Sequence, residues 1–298
     1  MPLISLLVLY PPLSGVKSKN TTPYPGDLGP LTVYNAHVSL ERVGNQEGDG
    51  GYVIAKSAPS AYDAFISGGV QYDTSFENAW AELYHIPQQA NNSKFWGIAF
   101  DGSVERAPEL PKAIDFRSEM VGFGEPISVC VKHFGQDDEC ENRLVPQNDL
   151  GDILRTQRNV FVKLDIEGAE WAWFHNAPEP WIQNMKQITM EVHGLGQDGY
   201  GTTKKQKLKI LSRLTKSHIL IWVHTNNYSD PADSGTVAGV PIASAVEMTW
   251  IRKDMVPADM VPVRATSPIP GHLDRPNGKH LPDVPMNHPP WRCRGAVC

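Results

Sequence analysis

The chain of 298 residues has no long hydrophobic run. Its N-terminal apolar stretch, Leu3 to Leu9, is far short of the ~20 residues that a membrane-spanning helix needs, so no transmembrane segment is expected. No Lys or Arg precedes Lys17, and the stretch therefore lacks the basic start of an export signal. Two readings stay open for it, a degenerate export signal or a hydrophobic N-terminal strand. Basic excess is also missing. With 27 Lys+Arg against 33 Asp+Glu the net charge is -6, which removes a global drive toward nucleic acid or anionic lipid. There is no basic stripe and no Asp/Asn-Pro-Pro-aromatic patch of the kind that holds a flipped base, so no nucleic-acid partner is expected. Cysteine is scarce. Cys130, Cys140, Cys293 and Cys298 form no CxxC pair, which argues against a zinc site, and four cysteines leave three disulfide connectivities open. The full G-x-G-x-x-G fingerprint is absent too, which weakens a nicotinamide-dependent oxidoreductase.

What is plentiful is proline: 25 residues, clustered in the leader at Pro11, Pro12, Pro23 and Pro25 and again after Met255. Between these ends, short apolar runs alternate with helical stretches, as a βαβ architecture requires. Strands are expected at Ala64 to Ser67, Trp96 to Phe100, Ile127 to Val131, Val160 to Leu164, Gln187 to Val192, Ile219 to His224 and Ala245 to Ile251. A helix is expected at Lys204 to Leu214. The prolines of the tail forbid a long helix or central strand, so the tail is either an extended wrap or a flexible extension. The expected organisation is a leader over 1–31, one α/β domain over 32–255 and a proline-rich tail over 256–298. The even cysteine count and N-x-[ST] sequons at Asn20, Asn91 and Asn227 tilt the location toward the secretory pathway or the exterior over the cytoplasm.

Four patches follow expected strands, the place where ligands bind in an open α/β sheet. The first runs Ile66-Ser67-Gly68-Gly69-Val70-Gln71-Tyr72-Asp73-Thr74-Ser75-Phe76-Glu77, where paired glycines let backbone approach a ligand and a helix start can meet an anion. The second ends in Asp101, placed to accept hydrogen bonds from a ribose diol. The third carries Asp165, Glu167 and Glu170 within six residues. The fourth joins Glu191 and His193 with His224, Asn226 and Asn227 after the following strand, so that two histidines can converge on one cleft.

Arg42-Val43-Gly44, Asp49-Gly50-Gly51-Tyr52-Val53, the Ser67 to Glu77 segment, Asp165-Ile166-Glu167-Gly168-Ala169-Glu170-Trp171, Glu191-Val192-His193, the His224 to Tyr228 patch and Val246-Glu247-Met248-Thr249 together resemble the FkbM-like, S-adenosylmethionine-dependent methyltransferases. Within them the likeness is to the branch related to methyltransferase-like protein 24, over roughly residues 32 to 252. The resemblance implies a Rossmann-like class I methyltransferase fold: a mostly parallel seven-stranded sheet, helices on both faces and a reversed final hairpin. It also implies O-methylation of a hydroxyl on a sugar, glycan or other small polar acceptor. Its S-adenosylmethionine would lie on Ser67, Gly68, Gly69, Asp73, Ser75, Phe76, Glu77 and Asp101. One departure stands out: Gln71 occupies a position where the family often has a second glycine. His193 and His224 are the expected bases, as neutral imidazoles. Asp165 and Glu191 would orient them or, with Glu167, bind a divalent cation such as Mg(II). Glu167, Asn226 and Asn227 would bind the acceptor. The alternative is a secreted methyltransferase-like module that has lost catalysis and serves as a glycan-binding or structural unit.

Overall fold

A computed structural model describes residues 26–86, 96–105, 109–132, 140–228, 235–237, 239–288 and 290–292. The leader up to residue 25, the sequons at Asn20 and Asn91, and Cys293 and Cys298 lie outside the described residues.

Seven strands build the central sheet: β1 (Ala64–Gly68), β2 (Trp96–Phe100), β3 (Ile114–Arg117), β4 (Val160–Leu164), β5 (Met185–His193), β6 (His218–Thr225) and β7 (Ala245–Arg252). Their order is β6-β7-β5-β4-β1-β2-β3. From β5 to β3 every neighbouring pair is parallel, whereas β7 runs antiparallel to both β5 and β6. The chain leaves β1 toward β2 on one side and later returns to place β4 on the other. Such a reversal is a topological switch point, and in open α/β sheets ligands bind outside the carboxyl ends of the strands that flank it.

Every residue of β1 and β4 is buried, as apolar runs covered on both faces should be. Strand alternation divides them. Ile66, Val162 and Leu164 join Ile153, Trp171, Trp173, Ile182 and Leu211 in one cluster, contributed by helices α2 (Gly151–Leu154), α3 (Glu170–Asn176), α4 (Glu179–Asn184) and α5 (Lys204–Leu214). Phe65 and Phe161 point the other way, against Phe76 and Trp80 of α1 (Ser75–Leu83); the Phe65 and Trp80 rings lie 4.3 Å apart. Each fully buried Leu, Ile or Phe contributes roughly 1.5–3 kcal/mol of transfer free energy. Helix α5 starts where expected because Thr203 and Gln206 form a reciprocal capping box.

The α1 face also carries an antiparallel hairpin, Leu40–Gly44 with Gly51–Ala55. It is fastened by polar side chains inside the sheet. Gln187 Oε1 accepts from Ala55 N at 3.2 Å, and Thr249 Oγ1 donates to Val53 O at 2.5 Å.

One expected strand takes a different place. Ile127–Lys132 pairs with Cys140–Val145 in a separate antiparallel hairpin, and the sheet's third strand is Ile114–Arg117. The burial pattern gives the reason: Ile127, Ser128, Cys130 and Lys132 are exposed, which a central strand does not tolerate. A disulfide joins Cys130 to Cys140 across this hairpin, with Cα atoms 5.4 Å apart.

The tail is an extended wrap over its described residues. Val263–Arg264 pairs with Tyr34–Asn35, and Ile269, Met286 and Trp291 are buried in the same cluster as Val162.

Candidate functional site

Strand β4 ends in a tight turn that turns its carboxylates toward β5. Glu167 (φ +54°) and Gly168 (φ +96°) both adopt left-handed backbone, and a Cβ on Gly168 would run into the Tyr200 ring. The turn leads into α3, whose first residue Glu170 is fully buried and accepts from Ile166 N at 2.9 Å. On β5, Glu191 and His193 are two residues apart and so face the same side of the sheet.

The result is one imidazole among carboxylates. His193 Nε2 lies 3.4 Å from Glu191 Oε1 and 3.5 Å from Glu167 Oε2, and Nδ1 lies 3.5 Å from Glu170 Oε1. Asp165 joins from the end of β4: its Oδ2 accepts from Tyr52 OH at 3.0 Å, and it shares a 4.8 Å neighbourhood of donor atoms with Glu167 and His193. Asn226 Nδ2 donates to Glu191 Oε1 at 3.1 Å. Only the outer edge of this group meets solvent; the Glu167 side chain is 72% exposed and that of His193 12%.

Burial works against a proton on His193, but Glu170 and Glu191 outweigh it and hold the ring protonated well above the ordinary histidine range. Burial raises the proton affinity of Glu191, and of Glu167 as well. The expectation of a neutral His193 base is thereby corrected: three surrounding carboxylates favour the imidazolium.

His224 is a different case. Its side chain is 1% exposed, Nδ1 lies 3.1 Å from Glu247 Oε2, and Nε2 lies 3.1 Å from Asp283 Oδ1 of the tail. Burial lowers its proton affinity, but Asp283 and Glu247 push its pKa up to about 10. With both ring nitrogens committed, His224 is a charged strut and not the neutral base expected. Asn227 is likewise occupied: its Nδ2 donates to Gly278 O at 3.1 Å and Leu281 O at 3.0 Å, and its Oδ1 accepts from Gly278 N. It pins the tail, which takes it out of the expected acceptor set and buries the side chain its sequon would modify.

The glycine loop at the end of β1 lies beside this mouth. Gly69 has φ +77°, and a Cβ there would collide with the Asp165 carbonyl, so the close approach of β1 and β4 requires glycine. Lys163 Nζ donates to Gly69 O at 2.5 Å. Across the loop, Asp101 Oδ2 accepts from Gln71 N at 2.7 Å, and Oδ1 accepts from Ser103 N and Oγ. A carboxylate has about four acceptor positions, so one remains for a ligand hydroxyl. Asp73 caps the start of α1 through Ser75 N at 2.8 Å, and Ser75 Oγ reaches Gly50 O.

Three members of the expected cofactor set turn inward. Ser67, Phe76 and Glu77 are 0%, 2% and 1% exposed, and Ser67 Oγ donates to Glu77 Oε1. They fasten α1 to β1, because strand and helix periodicity put them on the packed side. Tyr52, Lys163 and Glu170 are the site neighbours to which the sequence assigned no role. Lys163, a lone cation inside an apolar strand, was the available signal.

Comparison with family models, with curated proteins and with solved structures returned no match.

Proposed function

We propose that this protein is an S-adenosylmethionine-dependent O-methyltransferase acting on a hydroxyl of a sugar, glycan or other small polar acceptor. The observation that carries the reading is positional. Gly69 after β1, Asp101 after β2 and the carboxylate–imidazole group at the ends of β4 and β5 all stand at carboxyl ends of strands on the two sides of the point where strand order reverses. The reversed β7 between β5 and β6 is the final hairpin that the family resemblance implies.

The cofactor would be held by the Gly68–Gly69 backbone, the remaining acceptor position of Asp101 and the α1 start at Asp73 and Ser75. It supplies a methyl group already activated on a sulfonium. The protein's share is then orientation, a contribution worth up to ~7–11 kcal/mol, and management of one proton. Glu167 and Asn226 are placed to hold an acceptor hydroxyl at the open edge, with Asp165 behind them. The proton passes to a carboxylate of the group around His193.

Calorimetric titration with S-adenosylmethionine and S-adenosylhomocysteine, repeated on Asp101→Ala, tests the cofactor half. The expected loss is roughly tenfold in affinity, about 1.4 kcal/mol. Absence of binding by the wild-type protein, or unchanged affinity in the variant, would sink the assignment. A second reading, a methyltransferase-like module without catalysis, is favoured by the three carboxylates within 3.5 Å of His193, which leave no ring nitrogen facing away from a carboxylate. It predicts glycan binding with no labelled methyl transfer to any of a panel of mono- and oligosaccharides.

A further inference from the structure

The shortest His193–carboxylate separation is 3.4 Å, whereas a charge-assisted N–H···O bond closes to ~2.7–2.9 Å. The carboxylates stand around His193 at separations longer than such bonds. Two ligands held at ~2.0–2.2 Å on a tetrahedral or octahedral ion stand roughly 3.0–3.6 Å apart, the spacing observed between His193 Nε2 and Glu167 Oε2 at 3.5 Å. A donor atom from Asp165 falls inside the same 4.8 Å neighbourhood.

The surroundings provide a second, independent sign. Glu170 is 0% exposed, its Oε1 stands 3.5 Å behind His193 Nδ1, and its Oε2 has no hydrogen-bond partner. A buried carboxylate behind one ring nitrogen fixes the imidazole so that the other faces outward, as metal-ligating histidines are held. Tyr52 OH does the same for the Asp165 carboxylate.

We propose that Asp165, Glu167 and His193 ligate a single divalent first-row transition-metal cation, of the Mn(II) or Zn(II) class, which displaces the imidazole proton to solvent as it binds, with Glu170 and Tyr52 orienting the ligands. The imidazole donor is what selects this class over the Mg(II) expected from the sequence, because Mg(II) prefers an all-oxygen, largely hydrated octahedron.

The test uses the full chain, stripped with chelator and titrated with MnCl₂ while the free-Mn(II) electron paramagnetic resonance signal is followed. One ion per chain should bind, with a ¹⁴N modulation from a coordinated imidazole in the pulsed spectrum. His193→Gln should abolish that modulation, and Glu167→Gln and Asp165→Asn should weaken binding ~10- to 100-fold. Glu167 is exposed, so its variant stays folded and remains informative if His193→Gln does not. Lack of saturable binding, no ¹⁴N modulation in the wild-type protein, or unchanged affinity in folded Glu167→Gln would each overturn the proposal. No S-adenosylmethionine is present, so the metal site and the methyl-transfer reading fail separately.

Discussion

His193 and His224 lie at or near the ends of β5 and β6, and each sits beside at least one glutamate, Glu191 on the same strand for His193 and Glu247 on the adjacent strand for His224. Yet one keeps an open edge and the other is sealed. The difference is what lies in front. His193 faces Glu167 on a turn that stays exposed, while His224 is covered by Asp283, contributed from 59 residues further along the chain. The same local chemistry becomes a partly open cluster or a structural pin according to whether a distant segment arrives to cap it. The tail reinforces the pin throughout. Asn277 Nδ2 donates to Glu247 Oε1 at 2.8 Å and to Asp49 Oδ1 at 2.9 Å, and Trp222 Nε1 donates to Asp274 Oδ1 at 2.9 Å.

Truncating the pin should do the most damage. His224→Ala leaves Glu247 and Asp283 facing each other without their shared cation, and we expect a loss of about 3–5 kcal/mol in urea unfolding. Affinity for S-adenosylmethionine should be unchanged in the molecules that remain folded. Unaltered stability would show that the tail does not cap this strand in solution.

The mirror experiment is His193→Gln. We predict turnover lower by at least ~10²-fold, with cofactor affinity retained and a smaller stability loss than His224→Ala. Equal stability losses in the two variants, with normal turnover, would erase the distinction between them.

A third measurement uses pH. His224 carries its proton more tightly in the folded protein, with a pKa of about 10 against an ordinary value of 6.5. Its contribution is therefore fully present below pH ~6.5 and is lost as pH rises toward ~10. Glu247, Asp283 and Asp274 are the charged groups around it. His193 adds a slope of the same sign, so the informative quantity is the difference between wild type and His224→Gln. That difference should shrink as pH climbs from 7 to 10; a constant difference would contradict the assignment. The smallest effect is expected for Asp283→Asn. It keeps one partner for the ring and should cost on the order of 1 kcal/mol, read from the same urea curves.

Much of the frame was legible because its signals are local. The apolar runs of β2 and β4 and the Thr203-capped α5 coincide with their expected limits, and β1, β5, β6 and β7 differ by one or two residues at an end. Strand β3 was not legible. Its Ile-Asp-Phe-Arg alternation carries two charges in four residues, as an edge strand can, while the more apolar Ile127 run went to an exposed hairpin. At the site, Asp165, Glu167, Glu191, His193 and Asn226 come together as expected, since each lies at or just past a strand end. Ser67, Phe76, Glu77, His224 and Asn227 were misassigned for one shared reason. A string of residues does not say which of its members the fold will cover. Glu77 is hidden by its own helix packing on β1, and His224 and Asn227 by a proline-rich tail with no periodicity to announce its path.

The wrap also sets an order of events during synthesis. When the ribosome has made residue 255, all seven strands have been delivered, but His224 still lacks Asp283, Asn227 still lacks Gly278, and Tyr34–Asn35 still waits for Val263–Arg264. Contacts of such sequence separation form late. A nascent chain therefore passes through an interval with a nearly complete sheet and an uncapped buried charge. During that interval the groups at the end of β6 that the tail later covers, His224 and Asn227, lack their tail partners.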